Sequence, residues 1–150
     1  MTTNASVAKK AIIDKLKLQA GPAMPLDGVG IGYAYKPDLG HESIYGGGFR
    51  FTHTDDVAEP GGIMVSEEVE VSLYIRVIAR PKTSVEETDE RCRAIGQTIG
   101  AMIRLDPKLG GGMSITRIAG GAGDYEIGDD HCQSTVGYNL RVIGHVSYGE

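Results

Sequence analysis

Residues 67–80, EEVEVSLYIRVIAR, constrain the fold more than any other stretch of this chain. Val69, Val71, Leu73, Ile75, Val77 and Ala79 take successive odd positions, while Glu68, Glu70, Ser72, Tyr74, Arg76, Ile78 and Arg80 take the even ones. A period of two with β-branched residues on one side describes a strand with one buried face. At ~3.3 Å per residue such a strand reaches roughly 40 Å, which is long for so small a domain. Pro81 closes it, a helix opens at Ser84, and a second long strand, residues 135–148, ends the sequence. This pattern specifies an architecture much more clearly than a reaction.

The remaining elements follow from periodicity and punctuation. Asn4 and Ser6 are caps for a first helix to about Gln19, with Ala5, Ala8, Ile12 and Leu16 as its apolar stripe. Residues 29–35 and 42–52 read as strands around a Lys36–Gly40 turn. Residues 53–66, HTDDVAEPGGIMVS, lack periodicity and read as a long polar loop. The helix after Pro81 carries a capping box, Ser84-x-x-Glu87, and Val85, Thr88, Cys92, Ile95, Ile99, Met102 and Ile103 form its stripe. Met113–Ile118 is a strand, residues 120–123 a glycine-rich link, and 124–134 a polar segment before the last strand. The expected fold is α+β: a two-layer sandwich of a mostly antiparallel sheet with two helices packed on one face, in the order α-β-β-β-α-β-β. Residues 1–150 make one domain.

Composition narrows the function. The net charge of −5 argues against a protein that grips phosphates, though not against a channel through which DNA slides. Two cysteines are too few for a disulfide framework, and Cys92 falls on an apolar helix face as a reduced core thiol. No apolar run reaches the ~18 residues of a membrane span, and Met1–Asn4 does not begin a signal peptide, so synthesis and assembly in the cytoplasm are expected.

Motifs for catalysis are weak. Gly28-Val-Gly30-Ile-Gly32 sits within or before a strand and not ahead of a helix, which is the wrong context for a dinucleotide loop. His53 with Asp55 and Asp56, and Asp129, Asp130, His131 with Cys132, contain ligand-capable side chains without the spacing of a metal site. No Gly-x-Ser-x-Gly elbow occurs. The expectation is no enzyme, no catalytic residue, no cofactor and no metal.

Charge and face patterning point elsewhere. From His53 to Ile75 there are acids, Asp55, Asp56, Glu59, Glu67, Glu68 and Glu70, and no Lys or Arg; Lys9, Lys10, Lys15 and Lys17 crowd the first helix. An acidic loop and a basic helix suit head-to-tail contact between copies, or simple solubility. Tyr74, Arg76, Ile78 and Arg80, with Asn139, Arg141, Ile143 and His145, mix arginine with isoleucine on the second sheet face. That face is either solvated or a subunit interface. The candidate interface residues are Asp55, Asp56, Glu59, Tyr74, Arg76, Arg80, Arg141, Lys9 and Lys10.

The N-terminal helix, the β-meander with a long polar loop, the EVEVSLYIRVIAR strand, the SVEETDERCRAIGQTIGAMI helix and the VGYNLRVIGHV strand together resemble the tail terminator proteins of long-tailed (siphovirus-type) bacteriophages. The resemblance spans about Ala8 to Val146 and rests on element order and texture. It implies a structural virion protein of the tail or neck, assembled as a homohexameric ring that caps the tail tube, ends its polymerisation and offers the head-attachment surface. The implied partners are further copies of the chain, the tail tube protein, the head-tail connector or stopper protein, and genomic DNA passing through the lumen without specific binding; no membrane is involved. The rival readings are a head-tail stopper or tail tube protein, and a small enzyme or ligand-binding domain.

Overall fold

A computed structural model describes residues 3–59 and 62–148, with the side chains at 55–64 and 147–148 outside the description. Chain order is α1 (Ala5–Lys17), β1 (Gly30–Gly32), a 3-10 turn (Pro37–Leu39), β2 (Glu42–Glu59), β3 (Gly62–Ala79), α2 (Val85–Leu105), β4 (Lys108–Gly110), β5 (Met113–Ile127) and β6 (Cys132–Tyr148). The fold is α+β, with two helices and one six-stranded sheet ordered β1-β2-β3-β6-β5-β4 that curves into a half-barrel. The sheet is mixed: β1 runs parallel to β2, and every other neighbouring pair is antiparallel.

The alternation in β3 sorts its residues as expected. Val69, Val71, Leu73, Ile75 and Val77 are buried in one core with Ile12, Ile13 and Leu16 of α1 and Cys92, Ile95, Ile99 and Ile103 of α2. Leu140 and Val142 of β6 complete it from the neighbouring strand. Each fully buried aliphatic side chain contributes about 1.5–3 kcal/mol by leaving water, so this shared face outweighs any single polar contact. Ser84 accepts the N–H of Glu87 at 3.2 Å, which is half of the capping box.

Four expectations are corrected. Of the expected loop at 53–66, residues 53–59 and 62–66 are the outer arms of the β2–β3 hairpin, paired from His53 with Glu67 out to Glu59 with Gly62, and residues 60–61 lie outside the described residues. A β-bulge between Asp55 and Ala58 breaks the alternation there, which is why the stretch reads as aperiodic. Residues 120–123 are not a link, because β5 runs on to Ile127; bulges at Ile115/Arg117 and Ala119/Gly121 absorb the irregular residues. The last strand starts at Cys132, and the short β4 is additional. The Asn4 side chain does not cap α1. Glu67 of β3 reaches across to accept the Asn4 N–H at 2.8 Å, while the Asn4 amide donates to the His145 carbonyl.

At Gly121 the neighbouring strand β6 leaves no room for a side chain. A Cβ there would stand 1.6 Å from the Gly137 carbonyl oxygen. That neighbour is backbone and cannot rotate away. Gly121→Ala is expected to cost roughly 1–3 kcal/mol by forcing the strands apart, read as a lower denaturation midpoint in urea.

Candidate functional site

The sheet face turned away from the helices brings together most of the surface residues that the sequence singles out. Tyr74 and Arg76 of β3 stand beside Gly137 and Thr135 of β6, and Glu70 beside Arg141. Tyr74 stacks on Tyr45 with ring centres 5.5 Å apart, and Tyr45 meets Tyr35 edge-on at 5.3 Å. The Tyr74 ring fills the space that a Cβ on Gly47 or Gly137 would need, at 2.4 and 2.9 Å respectively. Two glycines on flanking strands therefore let this ring lie over the sheet. Burial raises the Tyr45 phenol above its ordinary pKa, with the Arg76 charge opposing the shift. On either side of the Tyr74 ring lie two open grooves of about 520 and 620 Å³ that share Tyr74, Ala122 and Gly137.

Four arginines on or near this face have partners within the chain, whereas Arg117, opposite Arg141, has none among the described residues. Arg141 meets Glu68 at 2.7 Å and Arg50 meets Glu70 at 2.7 Å. Arg80 lies 3.5 Å from Asp130, beyond the end of β3. Arg76 donates to Gln133 at 2.9 Å and stands 5.0 Å over the Tyr35 ring, while its Nε is buried without a partner among the described residues. The pairing matters electrostatically. An arginine neutralised at 2.7 Å presents a much weaker field to a passing phosphate than a lone one.

Two of the candidate contacts on α1 separate. Lys10 is exposed and pairs with Asp14 at 2.7 Å. Lys9 is buried, contrary to the expectation of a basic outer surface; its ammonium lies 3.9 Å over the Tyr33 ring. Desolvation lowers its pKa, and its stem is spent on packing. The side chains of Asp55, Asp56 and Glu59, near the hairpin end, lie outside the described residues.

Three features that sequence reasoning missed bear on function. One is Glu67, almost fully buried, whose carboxylate accepts Thr3 Oγ1–H at 2.6 Å as well as the Asn4 N–H and lies 2.6 Å from His53 Nε2. The others are the free edges of the sheet. β1 covers β2 only at Ser43, Ile44 and Tyr45, so residues 46–59 have no outer strand among the described residues. β4 covers β5 only at Met113 and Ser114, which leaves residues 117–127 open in the same way.

Among the described residues, no three His, Cys, Asp or Glu side chains converge as metal ligands. Burial, helped by Asp89, pushes the Cys92 thiol up to about 11, and Cys132 is buried too. Thiolate chemistry at Cys92 near neutral pH is therefore suppressed. Gly30–Gly32 form β1, not a loop that opens a helix. No described helix is long and apolar enough to cross a membrane. Comparison with protein-family models and with curated proteins finds no match.

Proposed function

We propose that this chain is a structural subunit of a bacteriophage tail or neck, a tail terminator, that joins copies of itself into a closed ring. The observation that carries the reading is the pair of uncovered edges on opposite sides of one sheet. An open edge invites another strand, and natural proteins otherwise blunt or cover it. Contact between two different edges is head-to-tail, and such contacts close into rings when the rotation allows. The subunit is then a two-layer block with its helices outside and its open face toward the hole. The paired arginines of that face let DNA pass without being gripped. The partners are the tail tube protein on one side of the ring and the head-tail connector or stopper protein on the other. Capping is the mechanism: a docked ring occupies the growing end of the tube and offers no surface for another tube layer. The ring works in the virion and performs no catalysis.

Native mass spectrometry and negative-stain electron microscopy test this directly. The expected result is one discrete ring size, and arrest of tube growth when the ring is added to polymerising tube protein. Stacks without a length limit would assign the chain to the tube instead. A monomer at every concentration would overturn the ring.

A further inference from the structure

We infer that the free edge of β5 pairs antiparallel with the free edge of β2 from a second copy, in a register that sets Arg50 beside Asp124 or Glu126. This inference rests on the ring reading above and specifies its interface. Four observations select it.

The first is direction. β2, β3, β6 and β5 alternate strictly, so β2 and β5 run in opposite directions at the two sides of the sheet. A neighbour that continues the sheet therefore presents its β2 antiparallel to β5. The second is length. Residues 117–127 of β5 fit wholly within residues 46–59 of β2 when Arg50 faces either acid, so no part of the shorter edge is left open.

The third is face. Arg50 pairs with Glu70, Asp124 with Thr135 and Glu126 with Gln133, which puts all three on the open side of the sheet. Phe49 and Phe51 pair with Val71 and Val69, and Tyr125 and Ile127 with Ser134 and Cys132, which puts these four on the helix side. Residues directly opposite in a ladder share a face: with Arg50 beside Glu126, Phe49 meets Ile127 and Phe51 meets Tyr125, whereas with Arg50 beside Asp124 only Phe49 meets Tyr125, and Phe51 and Ile127 face Gly123 and Gly47. A slip of one residue would break both matches at once. The four apolar side chains are 39%, 41%, 62% and 55% exposed in the single chain, a cost that this contact removes. The Arg50 side chain is largely exposed beside Glu70 and has donors left for a second carboxylate. Neither Asp124 nor Glu126 has a cation partner among the described residues.

The fourth is offset. The free run of β2 lies level with residues 62–73 of β3, and that of β5, traced through β6, with residues 70–79. Joining them shifts each copy along the strands by six residues with Asp124 or eight with Glu126, roughly 20 or 26 Å. Strands in a closed ring with that stagger are inclined to its axis, as closing a sheet requires.

Charge exchange tests the register, with assembly followed by sedimentation and folding by circular dichroism. Arg50→Asp alone, and Asp124→Arg with Glu126→Arg, are each expected to raise the concentration for half-assembly about tenfold or more, with folding retained because all three side chains are exposed. The chain carrying all three changes is expected to assemble within about threefold of the parent. Assembly of both partial variants at the parent's concentration overturns this interface and leaves the ring standing. Failure of the combined variant to recover overturns the charge partnership in the same way. A parent chain that stays monomeric overturns the ring itself, and the interface with it.

Discussion

Ile99→Asp is expected to remove most of the stability of this chain. Ile99 is 3% exposed on α2, in the same core as Cys92, Ile95 and Ile103 and the odd residues of β3. The substitution takes away the transfer energy of a buried aliphatic side chain and puts a carboxylate where no described cation stands ready. A buried group of that kind either carries an uncompensated charge or takes up a proton against its ordinary pKa. The combined cost is roughly 4–5 kcal/mol, a large part of the ~5–15 kcal/mol that holds a domain together. Urea denaturation reads it, with Glu90→Gln as the control. Glu90 lies on the outer side of the same helix and among the described residues pairs only with Arg93, three residues on, so the control is expected to leave the midpoint unchanged. Equal midpoints for Ile99→Asp and the parent would mean that the register of α2 on the sheet is wrong.

The helices and the two faces of β3 were legible in the sequence because periodicity is a local property. Each odd residue from Val69 to Val77 announces its burial by its chemistry, and Ser84 and Glu87 announce the start of α2. What failed was the reading of glycine and of aperiodic polar stretches. Gly120, Gly121 and Gly123 look like punctuation, yet the bulge at Ala119/Gly121 keeps β5 paired with β6 through them. The outer arms of the hairpin look like a loop because their regularity comes from pairing with β3 and β6, not from their own alternation. Lys9 reads as part of a basic surface because a sequence shows a charge and not the room beside Tyr33. Glu67 is recoverable in principle: it shares the parity of Val69, and extending the alternation back by two residues puts it on the buried face. Of the candidate surface, the arginines and Tyr74 were readable from alternation. The free edges were not, since strand order is fixed by contacts between distant segments.

Glu67 should make stability depend on pH at the acidic end. Burial works against its ionisation, but hydrogen bonds from Thr3 and from the Asn4 N–H, together with His53, outweigh it and hold the carboxyl below its ordinary value of 4.5. A group whose pKa is depressed by folding binds its proton more readily in the unfolded chain. Its contribution is therefore complete above pH 4.5 and is lost as the pH falls through the lower folded value. Glu67→Gln keeps the shape and loses the charge, and its amide –NH2 takes the place of one carboxylate oxygen, so it faces either the Asn4 N–H or Thr3 with His53. The expected cost at pH 7 is roughly 3 kcal/mol, because charge-assisted bonds to a buried group are replaced by one poor match. The variant is also expected to show a shallower loss of stability below pH 4.5 than the parent. Since Glu67 ties the start of α1 to the middle of the β2–β3 hairpin, amide exchange in the first turn of α1 should quicken with it. A parent and a Glu67→Gln chain with the same stability at pH 7 and the same acid slope would show that the carboxylate is merely accommodated. A loss at pH 7 with an unchanged acid slope would show that it is held by shape and not by charge.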